Sequence, residues 1–208
     1  MRSATYLLTL IAVARAASAQ VFTGGTRLEL AAGWNFSNFS GDGSMKHRTG
    51  LVAGVGVLHP IGNTGWSFEP QLAYSMKGAE SDGAVGETTF KVDSVEVPVL
   101  FRYEFWADAD SHPFFSLGAT PAFQVGCRAH SESGAIALHR ACSDDNLDPH
   151  GFDVGLTGGG GFAFRYLNHL VTIGGRYNYG LVDVFRRGPN ERNSVWSVVS
   201  TVDFPWLR

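Results

Sequence analysis

Val95-Glu96-Val97-Pro98-Val99-Leu100-Phe101-Arg102-Tyr103-Glu104-Phe105 is the stretch whose reading decides the fold. Side chains of a strand point alternately to opposite faces. On that rule Val95, Val97, Val99, Phe101, Tyr103 and Phe105 share one face, and Glu96, Arg102 and Glu104 share the other. One face needs an apolar environment. The other carries charges in mid-strand, so it needs polar partners.

The same period-two pattern predicts eight antiparallel strands, of which Phe90 to Phe105 is the fourth. The others run from Arg27 to Ser37, Thr49 to Leu58, Gly65 to Lys77, Pro113 to Cys127, Phe152 to Arg165, Leu170 to Leu181 and Ser194 to Phe204. The links between them alternate in length. Asn38–Arg48, Gly78–Thr89, Arg128–Gly151 and Val182–Asn193 are long, whereas His59–Thr64, Trp106–His112 and Tyr166–His169 are short. Long outer loops alternating with short periplasmic turns are expected of outer-membrane barrels, and a soluble sandwich has no reason to keep that order.

The aromatic residues fall into two belts when the strands are traced up and down. Trp66, Phe105, Trp106, Phe114, Phe115, Phe164, Tyr166, Phe204 and Trp206 lie at the short-turn end. Trp34, Phe36, Tyr74, Phe90, Phe123, Phe152, Tyr177, Tyr179 and Trp196 lie at the long-loop end. Valine, leucine, alanine and glycine fill the middles. Belts of this kind form where rings sit at the two lipid interfaces.

The N-terminus reads as an export signal over residues 1–19. Arg2 gives a positive start, Tyr6 to Ala14 an apolar core, and Ala17-Ser18-Ala19 a small-x-small cleavage site before Gln20. Residues 20–208 then form the barrel domain. The apolar core is too short to cross a bilayer as a helix, which takes about 20 residues. Every later apolar stretch is broken by charge, glycine or proline. A barrel strand, by contrast, needs only about 9–11 residues of alternating polarity. The expected fold class is therefore all-β, a closed up-and-down antiparallel transmembrane β-barrel of eight strands in the outer membrane of a Gram-negative-type cell.

Three segments carry a family resemblance: Phe68-Glu69-Pro70-Gln71-Leu72-Ala73-Tyr74-Ser75-Met76-Lys77-Gly78-Ala79, Val95 to Tyr103, and Gly174-Gly175-Arg176-Tyr177-Asn178-Tyr179-Gly180-Leu181. In order and spacing they resemble the PorT-like outer-membrane β-barrel family. The resemblance covers most of the mature chain and implies the barrel. It implies no particular task, because that family is defined by shape more than by activity. The C-terminus departs from its pattern: Pro205-Trp206-Leu207-Arg208 follows Phe204, where such barrels commonly finish on an aromatic.

Net charge is −3, which gives no basic field for nucleic acid. No nucleophile–base pair stands out, so the reading is not an enzyme and names no cofactor. His130, His139 and His150 share the longest link with Asp144, Asp145 and Asp148, but without compact metal-ligand spacing, and solvated loop residues are expected there. Gly158 to Gly161 lacks the Gly-Lys-Ser/Thr of a phosphate loop and reads as room for close strand packing. Cys127 and Cys142 lie in one polar segment, and in an exported chain they read as a disulfide.

Glu69, Glu96, Arg102, Glu104 and Arg176 fall on the polar face and are expected to form a lumen charge network. Setting Trp66 level with Phe105 puts Glu69 opposite Arg102 and predicts an ion pair between them. An eight-stranded barrel is just wide enough for side chains to fill. A plugged lumen with a structural or binding role at the outer loops is the leading reading. Its partners would be outer-membrane lipid, the barrel-assembly machinery during biogenesis, and a protein or small ligand at the loops. A narrow pore or transport-associated component and a soluble lipocalin-like barrel are the alternatives.

Overall fold

The computed structural model describes residues 25–40, 45–83, 86–133, 136–141, 151–167, 169–183 and 192–206. The segment read as an export signal lies outside them, as does Cys142.

The described residues form one antiparallel sheet of ten strands. They are β1 (Arg27–Ser40), β2 (Met45–Pro60), β3 (Trp66–Gly83), β4 (Gly86–Glu96), β5 (Val99–Glu104), β6 (Ser111–Ser133), β7 (Ile136–Ala141), β8 (Phe152–Tyr166), β9 (His169–Asp183) and β10 (Arg192–Pro205). The sheet closes on itself. From β2 it passes through β1, β10, β9, β8 and β6 to β4 and β5, then through β3 back to β2. β4 and β5 share one position, so the ring has eight. β7 stands outside it, a hairpin arm on the far end of β6. Closure leaves the ring itself no unpaired strand edge, which a bilayer would not satisfy.

The strand expected to run unbroken from Phe90 to Phe105 is thus two hydrogen-bonded segments. Pro98 has no N–H to give the ladder. The neighbours bridge the gap: Val97 N–H donates to the Pro121 carbonyl and Gln71 N–H to the Pro98 carbonyl, both at 2.8 Å.

The links expected to be long are largely strand. β3 and β4 stay paired up to Gly83↔Gly86, and β6 and β7 up to Ser133↔Ile136. Apolar alternation ends where lipid ends, whereas backbone pairing continues into water as long as a neighbour is present. At the opposite end the returns are tight. The β2–β3 turn uses Gly62 and Gly65 at φ 59° and 80°, a region that disfavours residues with a Cβ.

A bulge shifts β6 against β4. Asp93 faces Gly126 and Ser94 faces Gln124, which leaves Val125 extra. Below the bulge the even-numbered residues of β6, such as Ser116 and Thr120, are buried; above it Arg128 is exposed. One inserted residue reverses which parity faces out.

The outer surface is apolar and the interior polar. Trp34, Leu51, Leu72, Leu117, Leu156 and Trp196 are all more than half exposed, while Glu29, Asn35, Lys77, Arg102, Thr157 and Asp203 are buried. A lipocalin-like barrel needs the reverse, so that alternative is set aside. Of the residues expected in the belts, the side chain of Phe90 lies outside the described ones, and one of the others is corrected. Phe114 was expected at the short-turn interface but lines an interior cavity. Trp66, Tyr103, Phe105 and Phe115 form a connected ring cluster outside, with centroids 4.9 to 5.9 Å apart.

Candidate functional site

The interior polar column is the candidate site. Its members reach it by parity alone: on each strand the residues alternating with the lipid-facing ones must point into the ring.

Toward the short turns, Arg102 is the centre. Its Nη1 lies 3.4 Å from Glu29 Oε1 and its Nη2 3.1 Å from Glu104 Oε1. The guanidinium stacks 4.1 Å over the Phe114 ring, a cation–π contact in a desolvated setting. His112 Nε2 is 3.4 Å from Glu104 Oε2. Asp203 lies opposite Glu29 on the neighbouring strand and 4.0 Å from Arg27. Arg102 thereby serves carboxylates on two different strands, which suits its planar, many-donor head.

One level up, Arg176 crosses the lumen from β9 to β3. Its Nη2 is 3.7 Å from Glu69 Oε1, and its Nη1 donates to Gln71 Oε1 at 3.0 Å. The Gln71 amide in turn donates to Glu69. Toward the outer end, Lys77 pairs with Glu96, and Arg48 donates to the Lys77 carbonyl. Neutral groups complete the column. Ser197 Oγ donates to Asn35 Oδ1 at 2.8 Å, Asn35 Nδ2 donates to Ser75 Oγ at 2.9 Å, and Asn178 Nδ2 donates to Thr157 Oγ1 at 2.7 Å.

The free space is small. One cavity of about 30 Å³ is lined by residues including Asn35, Ser75, Lys77, Glu96 and Arg176. A second of about 20 Å³ touches Glu69, Arg102, Phe114, Thr172 and Arg176. On this measure a water needs roughly 10–15 Å³, so each holds about one or two.

All five residues expected in the charge network lie within the ring, in separate groups. Glu96 belongs with Lys77; Glu69 with Arg176; Arg102 with Glu104. Glu69 and Arg102 do not make the expected direct ion pair, although they line one cavity and Glu69 is the strongest charge acting on Arg102. Trp66 is level with Tyr103, not Phe105, so Arg102 faces Ser67 and Glu69 faces Leu100. This two-residue slip keeps the faces and changes the partners. Sequence reasoning left out Arg27, Glu29, Lys77, His112 and Asp203. Parity would have found them: Lys77 shares its strand face with Glu69, and Arg27, Glu29, His112 and Asp203 each alternate with lipid-facing residues. Among the described residues no group of three or more His, Cys, Asp or Glu could hold a metal ion. His150, Asp144, Asp145 and Asp148 lie outside them.

A closed antiparallel ring, apolar outside between two aromatic belts and charged within, defines an outer-membrane β-barrel. The chain belongs to the outer membrane protein beta-barrel domain family, whose sequence model matches residues 18–186. Its place is the outer membrane. Among solved structures, Neisserial surface protein A is similar with a TM-score of 0.50 at 17% identity, over 86% of this chain and 97% of that one. OprG from Pseudomonas aeruginosa has a TM-score of 0.50 at 13% identity, over 91% and 100%. Ail of Yersinia pestis has a TM-score of 0.45 at 17% identity, over 86% and 99%. Identities this low show the fold alone. No curated protein sequence matches the chain.

Proposed function

We propose that this barrel is a closed membrane scaffold, of the PorT-like branch of its family, that presents its outward-reaching hairpins for binding. The observation that carries the reading is the pair of cross-lumen bridges. Arg102–Glu29 and Arg176–Glu69 span the ring at two heights, with cavities of only about 20 and 30 Å³ beside them. A hydrated ion has no continuous passage through such a column without displacing ion-paired side chains. The part left to meet a partner is the pair of extensions, β3–β4 and β6–β7. The role is non-enzymatic, and residues 1–19 serve export, after which the assembly machinery inserts the ring.

Planar-bilayer recording tests the plug. The purified barrel is expected to give no steady porin-like conductance; wild-type protein that conducts as an open porin overturns the reading. A pull-down from detergent-solubilised membranes, with and without the β6–β7 arm, then tests the binding surface.

One observation favours a narrow pore as the second reading. Arg176 and Val199 line both cavities, so the two spaces meet at a single side-chain layer. Swinging Arg176 aside would join them.

A further inference from the structure

The barrel closes where its first and last strands meet, and that seam holds two acids against each other. Glu29 on β1 is the direct register partner of Asp203 on β10. Both are fully buried, at 0% exposure. Their carboxyl groups lie within hydrogen-bonding reach of one another. Glu29 Oε2 and Asp203 Oδ2 receive no hydrogen bond from any amide, hydroxyl or guanidinium of the described residues. Two ionised carboxylates do not stand in contact where water is excluded. One of them keeps a proton and donates it to the other.

The surrounding charges call for the same proton. Arg102 from β5 lies 3.4 Å from Glu29, and Arg27 on β1 stands 4.0 Å from Asp203. Glu69 from β3 acts on both acids, Arg176 from β9 pairs with Glu69, and Glu104 pairs with Arg102. Three guanidiniums thus meet four carboxyls, and one shared proton makes the cluster neutral. Of the nearby imidazoles, His112 from β6 faces Glu104, and His169 from β9 bonds the Asp203 backbone carbonyl at 3.1 Å. From β2 comes Gly56, which brings no side chain against Glu29. A larger cation has no room, since neither lumen cavity is lined by Glu29 or Asp203. A proton needs none.

We propose that Glu29 and Asp203 form a proton-binding acid pair that couples closure of the barrel to pH. In the open chain each carboxyl sits in water and is ionised at neutral pH. As β10 docks on β1 the pair takes one proton from solvent. One negative charge is left over the two groups, between Arg102 and Arg27, and the proton belongs to the pair rather than to either residue. The closed state then binds one proton more than the open chain. The pair's contribution to stability is largest in acid and is lost as pH rises.

Infrared spectroscopy and urea unfolding of the full detergent-folded barrel test this, on wild type and on Asp203→Asn, whose amide donates to Glu29 at any pH. Wild type is expected to show the C=O stretch of a protonated carboxyl at neutral pH, shifted in deuterium oxide and missing from the variant. Its folded-to-unfolded ratio should fall roughly ten-fold further than the variant's between about pH 6 and about pH 9, the effect of one proton lost over about one pH unit. At the alkaline end the variant should be the more stable of the two. A wild type without the protonated-carboxyl band overturns the proposal. So does a variant less stable than wild type at about pH 9, which would mark Asp203 as an ordinary carboxylate paired with Arg27. Should Asp203→Asn fail to fold, Glu29→Gln takes its place in the infrared comparison, and a band that survives that substitution overturns the pair.

Discussion

Arg102 reaches Glu29 across the lumen, Nη1 to Oε1 3.4 Å, although β2 and β3 stand between their strands in the ring. Both side chains are essentially sealed, at 1% and 0% exposure. A pair this dry is held by geometry. Removing one partner strands the other's charge in a space that water barely enters.

Arg102→Ala is therefore expected to cost about 3–5 kcal/mol, the range for breaking a buried pair. Glu29→Gln should cost less, since Arg102 keeps Glu104. The double substitution should cost less than the sum of the two. Urea unfolding of the detergent-folded barrel, followed by gel mobility, measures all three. Strict additivity would mean that the two groups do not interact.

Arg176→Ala is expected to raise ion leakage more than Lys77→Ala does, because Arg176 lies between the two cavities and Lys77 borders only one. Single-channel recording under matched conditions makes the comparison. Equal, porin-free baselines for both variants would remove Arg176 from the barrier.

Gly161 and Gly175 lie on neighbouring strands but differ in room. A Cβ on Gly161 would run into the Ile173 carbonyl oxygen, whereas one on Gly175 would meet nothing within 4 Å. Gly161→Ala should destabilise by about 1–3 kcal/mol through overpacking against backbone. Gly175→Ala should be close to neutral. Refolding yield and urea midpoint separate them; equal effects contradict the close approach of β8 to β9.

Cys127 and Cys142 are expected to be joined. Arg128↔Ala141 is a rung of the β6–β7 ladder, and these are the sequence neighbours of the two cysteines. Non-reducing peptide mapping should recover a linked pair. Reduction should loosen the outer arm while leaving barrel gel mobility unchanged, with a stabilisation of about 3 kcal/mol for a loop of this size in the chain-entropy view. Two free thiols in native protein would refute the pairing.

Inside and outside were legible because lipid enforces period two on every strand. Partners were not. Alternation fixes a residue's face but not its height, and the β3–β5 pairing settled two residues away from the setting that aligned Trp66 with Phe105. Glu29 and Arg102 are separated by 73 positions and meet across open space, which no neighbour counting along adjacent strands can find. Phe114 was readable and misread: it shares parity with Ser116, so its ring belongs inside with Arg102. The Val125 bulge was illegible for the opposite reason. It interrupts alternation by one residue within a stretch where both neighbouring side chains suit a strand. β7 was missed because its polarity does not alternate against lipid.

The bonds that close the seam and span the lumen constrain the order in which the molecule is made. Ser197 bonds Asn35 across 162 positions, and Arg176 bonds Gln71 across 105. Strands β1 to β6 alone would turn half of a charged column toward acyl chains, with no opposite wall to meet it. Contacts this distant in sequence form late, because the closing loop entropy precedes their return. The polar column thus acts as a checkpoint on assembly: only a chain whose last strand has arrived beside its first can shed the water from its charges, and a truncated barrel has no stable place in the membrane.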